Sequence, residues 1–181
     1  MMKNAVEHVF GWQDMLNRTI LITGASGSGK TTILKALEKI LPQEQTSTNY
    51  FDDIGIPSFE DMIKEYGSCE KWQEAITHKW IEKLSKIKDK KYIFLEGSFN
   101  PEFINIKNNH LLICIHADRS VREQRLMNRK QPELASQDME NFANLLKNKT
   151  LALGGIVIDS SIEKPEDIAK LIIHKLGVIK S

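Results

Sequence analysis

Apolar positions along this chain fall into two kinds of block, which differ in period. Short continuous apolar runs stand at Ile20-Leu21-Ile22, Tyr92-Ile93-Phe94-Leu95, Leu111-Leu112-Ile113-Cys114-Ile115 and Ile156-Val157-Ile158. Runs of this length with no polar interruption predict strands covered on both faces. A fifth, briefer strand is predicted at Asn49-Tyr50-Phe51, ending at Asp52-Asp53, after a polar and loop-like stretch over 43–48. Elsewhere the apolar residues recur every three or four positions, the spacing of a helix face. Ile33, Leu34, Leu37, Ile40 and Leu41 share one face of a helix over 30–41 that Pro42 stops. Phe59, Met62, Ile63 and Tyr66 form a short one, with Ser58 as N-cap and Gly67 at its end. Trp72, Ile76, Trp80, Leu84 and Ile87 form a longer stripe, read as core packing and not as an aromatic cofactor box.

Three more helices follow from the same spacing. Ser120 with Glu123 makes a capping-box pattern ahead of a basic helix carrying Arg122, Arg125 and Arg129. Met139, Phe142, Ala143 and Leu146 define the next. Pro165 opens the last, whose core face is Ile168, Leu171, Ile172 and Leu176, and Gly177 closes it. Residues 4–17, with Val6, Val9, Phe10 and Leu16 interrupted by Gly11, read as a short helix or an irregular lead-in. Strands alternating with helices predict an α/β fold with an open, mainly parallel five-stranded sheet, in a single domain over 1–181. Right-handed crossovers bring the C-terminal ends of the strands to one edge, where ligands bind.

That edge collects the chemistry. Between the first strand and the first helix lies Gly24-Ala25-Ser26-Gly27-Ser28-Gly29-Lys30-Thr31, which fits the P-loop pattern G-x-x-x-x-G-K-[ST] in the strand–turn–helix context it needs. Glycines let successive N–H groups converge on an anion, and the helix start adds its positive end. Gly24 through Thr32 are therefore the expected nucleotide-binding residues, with Lys30 on the β- and γ-phosphates and Thr31 on Mg²⁺. Glu96 ends the third strand, where a carboxylate helps hold Mg²⁺ or orients a substrate hydroxyl. Asp52 or Asp53 is placed to accept a proton from an attacking hydroxyl. Arg125 and Arg129 are candidates to close over a transferring phosphoryl group.

Composition excludes several alternatives. Apolar residues make up 41% of the 181 residues and charged residues 27%, with a net charge of +1. No field of one sign points to nucleic acid or membrane. The two cysteines, Cys69 and Cys114, and the five histidines show no metal-ligand spacing, and Cys114 sits in an apolar run as a core thiol. No stretch reads as a signal-peptide core or a membrane span, so a cytoplasmic protein is expected. Asp52-Asp53-Ile54-Gly55 fits the D-x-x-G pattern of GTPases, but Asn148-Lys149-Thr150-Leu151 lacks the aspartate of the base-reading N-K-x-D. No Asp-Glu pair ends the third strand, which speaks against a motor-type ATPase.

Together these segments resemble the P-loop kinases of the nucleoside-monophosphate, shikimate and gluconate kinase group, and within it uncharacterised bacterial ATP-binding proteins. Gly24 to Thr31 matches the group's phosphate loop, and Glu96-Gly97 its acidic residue and glycine after the third strand. Arg125-Leu126 with Arg129 looks like the lid pattern R-[LI]-x-x-R, and Ile158-Asp159-Ser160-Ser161 like the final strand and adenine-side loop. The resemblance implies the three-layer P-loop NTPase fold, ATP and Mg²⁺ as cofactors, Ser160 on the adenine side and a lid over 119–135. It also implies an acceptor-binding insertion over 58–89. Asp52-Asp53 is similar to the aspartates with which shikimate-type kinases bind an acceptor hydroxyl. Where nucleoside-monophosphate kinases carry an arginine for the acceptor phosphate, this chain has Ser98-Phe99-Asn100-Pro101. The expected activity is transfer of the γ-phosphate of ATP to a hydroxyl of a small molecule. The alternatives are a nucleotide kinase, with Arg119 or Arg122 replacing the missing arginine, and a nucleotide-binding regulatory NTPase without an acceptor.

Overall fold

The computed structural model describes residues 18–107 and 109–177. The expectation for 4–17, and His8 with it, lies outside the described residues. Five parallel strands, β1 (Arg18–Thr23), β2 (Thr46–Tyr50), β3 (Tyr92–Glu96), β4 (His110–His116) and β5 (Ile156–Asp159), form one sheet in the order β2-β3-β1-β4-β5. Six helices connect or flank them: α1 (Lys30–Glu38), α2 (Phe59–Tyr66), α3 (Cys69–Ser85), α4 (Arg119–Asn128), α5 (Gln137–Ala152) and α6 (Pro165–Lys175). The α/β fold with a parallel five-stranded sheet is the one the apolar runs predict. No described helix is long and apolar enough to cross a membrane.

Alternation along each strand divides the core into two halves. Ile20, Ile22, Phe94, Ile113 and Ile115 pack with Ile33, Leu34 and Leu37 of α1 and Ile168 and Ile172 of α6. Leu21, Ile93, Leu95 and Leu112 face the opposite way, onto Trp72, Ile76, Trp80 and Leu84 of α3. The predicted α3 stripe is thus a core face, with Ile87 packed against its end. Ser58 and Ser68 cap α2 and α3 by accepting from the Asp61 and Lys71 amides, and Gly67 ends α2 in the left-handed conformation.

Five sequence expectations are corrected. Residues 46–48 belong to β2, while Phe51 is already in a 3-10 turn over Phe51–Ile54. An edge strand with one neighbour is half-exposed throughout, so Thr46-Ser47-Thr48-Asn49 carries no apolar period to read. Helix α4 begins at Arg119 with Asp118 as N-cap, so Ser120 lies inside it and no capping box forms. The core face of α6 includes Ala169 and Ile173, whereas Leu171 is 43% exposed. The face of α2 is barely covered: Met62 is buried, but Phe59 and Ile63 are exposed. At the end of α1, Ile40 is likewise exposed and Leu41 buried.

The α6 correction is directly measurable. Ile172→Ala should destabilise the protein by roughly 2–5 kcal/mol, the range for emptying a packed site. Leu171→Ala should stay within about 0.5 kcal/mol, as for most surface positions. Urea unfolding of the two variants distinguishes the faces, and equal losses would contradict this packing.

Candidate active site

The loop after β1 is wedged between the elements around it. A Cβ on Gly24 would lie 2.2 Å from the Ile115 carbonyl oxygen of β4, so only glycine fits there, at φ +149°. A Cβ on Gly27 would meet the Arg122 backbone carbonyl of α4 at 2.9 Å. From the end of β3, the Ser98 hydroxyl donates to the Gly24 carbonyl at 2.9 Å. On the far side the Ser160 hydroxyl, just past β5, donates to the Ser28 carbonyl at 2.6 Å. Sheet order explains these contacts: β1 lies between β3 and β4, so the segments after those strands flank the loop that leaves β1, and β5 beside β4 brings Ser160 to the same edge.

Lys30 and Glu96 are both buried at the floor of this arrangement. The Lys30 ammonium donates to the Ala25 carbonyl at 3.3 Å and the Ser98 hydroxyl at 3.2 Å, and stands 3.9 Å from Glu96 Oε1. Thr31 donates its hydroxyl to Glu96 Oε2 at 3.3 Å. Burial lowers the Lys30 pKa from its ordinary value, and the carboxylates of Glu96 and Asp52 oppose it. Burial also raises the Glu96 pKa, against the pull of Lys30 and the Thr31 hydrogen bond. In both groups burial opposes the charged form, and a ligand that brings charge of its own relieves that cost.

Two cavities flank the loop. The larger, about 460 Å³, runs from Gly27, Lys30 and Thr31 past Glu96 to Asp52, Trp72 and Gln73. The smaller, about 290 Å³, is lined by Gly29, Thr32, Arg125, Ser160, Glu163 and Pro165 among others. Arg129 lies at the junction and lines both. Arg125 donates to the Gly27 carbonyl at 3.2 Å and to the Ser160 carbonyl at 2.7 Å. Burial, then the neighbouring Arg129, lowers its pKa from the ordinary guanidinium value.

The sequence-predicted residues thus separate by position. Ser26, Gly27, Gly29, Lys30, Thr31, Glu96 and Asp52 converge on the larger cavity, and Thr32 and Ser160 on the smaller. Asp53 is exposed and lines neither. Arg119 pairs with Glu123 and Gln137, and the buried Arg122 with Glu140 and the Ala117 carbonyl. Both guanidinium groups are engaged away from the cavity. Leu126 is buried too, so α4 is anchored, and the exposed stretch runs from Met127 to Glu133. Cys114 is a free, buried thiol pushed up to about 11 by burial.

Sequence reasoning missed Gln73 as a site residue. It follows Trp72 on a helix read as core, and its contacts come from the Ser98–Asn100 segment, far off in sequence. Its Nε2 donates to the Ser98 carbonyl and its Oε1 accepts from the Asn100 amide, each at 3.1 Å.

Magnesium fits the oxygen donors present. Thr31 and Glu96 supply a hydroxyl and a carboxylate side by side, and no group of three or more His, Cys, Asp or Glu forms a cage among the described residues. That sparse set suits an ion that keeps its waters and binds substrate phosphates.

Comparison with known proteins agrees with this architecture. The AAA domain family model matches residues 20–144. No curated protein matches the chain. A shikimate kinase from Acinetobacter baumannii, in complex with shikimate, superposes with a TM-score of 0.61 at 16% identity, covering 93% of this chain and 97% of its own. A deoxyadenosine kinase from M. mycoides gives 0.59 at 16% identity, covering 89% and 100%. Thymidylate kinase from Candida albicans gives 0.57 at 13% identity, covering 90% and 92%. The fold is that of the P-loop kinases of the nucleoside-monophosphate and shikimate kinase-like group.

The buried Glu96 carboxyl makes stability depend on pH with a definite sign. Folding favours its protonated form, so the wild type loses stability relative to Glu96→Gln as pH rises above 4.5, the ordinary glutamate value. Urea unfolding of both proteins across pH 4 to 8 reads this out; parallel curves would contradict it.

Proposed function

The chain belongs to the AAA domain family, and from that premise we propose that it is an ATP-dependent phosphotransferase acting on a hydroxyl of an unphosphorylated small molecule. One observation carries the choice of acceptor. The larger cavity continues well beyond the phosphate loop, yet among the described residues its only lining cations are Lys30 and Arg129, both at the loop end. Arg122, the buried candidate to grip an acceptor phosphate, is committed to Glu140. A second phosphate beyond the loop would meet the Asp52 carboxylate. The extent of the cavity also disfavours a regulatory NTPase, which needs no acceptor chamber.

The residues divide the reaction by position. The loop amides and Lys30 hold the β- and γ-phosphates of ATP, with Arg125 and Ser160 on the nucleoside side. Thr31 and Glu96 are the residues that would hold Mg²⁺, which when bound neutralises phosphate charge. Asp52 takes the proton of the acceptor hydroxyl. The hydroxyl oxygen bonds to the γ-phosphorus as the bond from that phosphorus to the β–γ bridging oxygen breaks. ADP leaves with the electron pair. Asp52 suits the base role better than Asp53, which does not line the cavity, or Glu96, which Thr31 and Lys30 occupy. Arg129 screens charge on the moving phosphoryl group, carried on the exposed stretch that closes over it.

Lys30→Ala should abolish ADP production while leaving the cooperative melt intact, because its charge serves the ligand. MgATP at a hundred times its dissociation constant should stabilise the wild type by about 2.7 kcal/mol; calorimetry without any such shift would sink the nucleotide assignment. Arg129→Ala should lower acceptor-dependent kcat by on the order of a hundredfold with little change in MgATP affinity. A variant that loses binding and turnover in equal measure would remove Arg129 from the transition state.

A further inference from the structure

A third cavity, of about 150 Å³, opens at the edge of the sheet opposite the phosphate loop. Thr19, Ile93 and His110 line it near the starts of β1, β3 and β4. The strand between Thr19 and Gly24 spans about 17 Å, so this cavity is separate from the two that flank the loop. Leu84 and Ile93, both buried, give it an apolar floor. Its charged lining has one sign. Lys88 and Lys107 stand there, and among the described residues no aspartate or glutamate lines it.

A helix C-terminus attracts lysines on its own account, which explains Lys83 and Lys86 at the end of α3. Lys107 is different. It stands on the segment entering β4 and forms no ion pair with a described carboxylate. Burial, then the Lys107 charge, lowers the pKa of His110. His110 Nδ1 accepts the Lys107 amide at 3.3 Å, which leaves Nε2–H as the donor of the neutral ring. The carbonyls of Glu82, Lys83 and Leu84 would repel an anion at this helix end. They already accept from the Ser85 hydroxyl and from the Lys86 and Ile87 amides. Positive charge gathered over an apolar floor without a counter-charge is a cost that a bound anion relieves.

We infer that this cavity is a second ligand site, for a small organic anion whose phosphate or carboxylate head meets Lys88, Lys107 and His110 while a short carbon body covers Leu84, Ile87 and Ile93. Pockets for drug-sized ligands hold about 300 Å³ or more, so the volume excludes a nucleotide. The site stands whether or not the phosphotransferase reading does.

The test is a proton–nitrogen NMR titration of the full chain, with MgADP present to occupy the phosphate loop. Propyl phosphate and butyrate are the probes, with inorganic phosphate and 1-butanol beside them. Propyl phosphate or butyrate should shift the Thr19, Leu84, Ile93 and His110 amides saturably, and the tighter of the two identifies the head. Lys88→Gln with Lys107→Gln, both at exposed positions, should weaken that probe at least about tenfold. MgADP affinity should stay within about twofold, as for a distant site. Equal shifts with 1-butanol would overturn the anionic head. Inorganic phosphate binding as tightly as both probes would overturn the carbon body. Shifts confined to the Gly24–Lys30 amides, shifts that never saturate, or a double variant that binds like the wild type would overturn the site.

Discussion

Gly24 approaches the end of β4 so closely that a side chain there would lie 2.2 Å from the Ile115 carbonyl oxygen. The site depends on that contact. It presses the phosphate loop into the notch between β3 and β4, where Ser98 holds its start and the backbone of α4 covers Gly27. Two packed cores, one on each face of the sheet, keep the three strands in register. The hydrophobic effect supplies the stability, and the glycines allow the stability to be used for a close approach of backbone to ligand.

The same wedge places charges where water solvates them poorly. Lys30 and Glu96 lie 3.9 Å apart and are both buried, and burial moves each toward its neutral form. An ion pair in such a place contributes little to stability. It is well suited to a visitor that brings both signs, such as a polyphosphate with a divalent cation. Ser98 connects this pair to the far end of the cavity. Its hydroxyl accepts from Lys30, and its carbonyl accepts from Gln73. The two ends of the cavity are therefore held by one short segment after β3.

Much of this was legible in the sequence where a local rule governs it. The glycines before Lys30, the continuous apolar strands, the α3 stripe and the Ser58 and Gly67 caps each express a short-range constraint. Glu96 was legible because a carboxylate closing an apolar strand has few other uses. Contacts made by distant segments were not legible. Arg122 looked equivalent to Arg125 and Arg129 by spacing, yet Glu140, eighteen residues on, takes it out of the site. Gln73 looked like a helix residue between core positions, until the Ser98–Asn100 segment fixed its amide. Asp52 and Asp53 were indistinguishable until the 3-10 turn over Phe51–Ile54, which leaves both exposed, set only Asp52 against the cavity. The β2 strand was misplaced because an exposed edge needs no apolar period.

The central claim is that this site moves a phosphoryl group to an oxygen acceptor and does not merely cleave ATP. Phosphorus NMR of the full chain with MgATP and a pool of neutral hydroxyl compounds tests it directly, because the fate of the γ-phosphorus is visible in one spectrum. The account predicts a phosphomonoester resonance that grows in step with ADP, with little orthophosphate. Orthophosphate growing in step with ADP, at a rate indifferent to the pool, would contradict it.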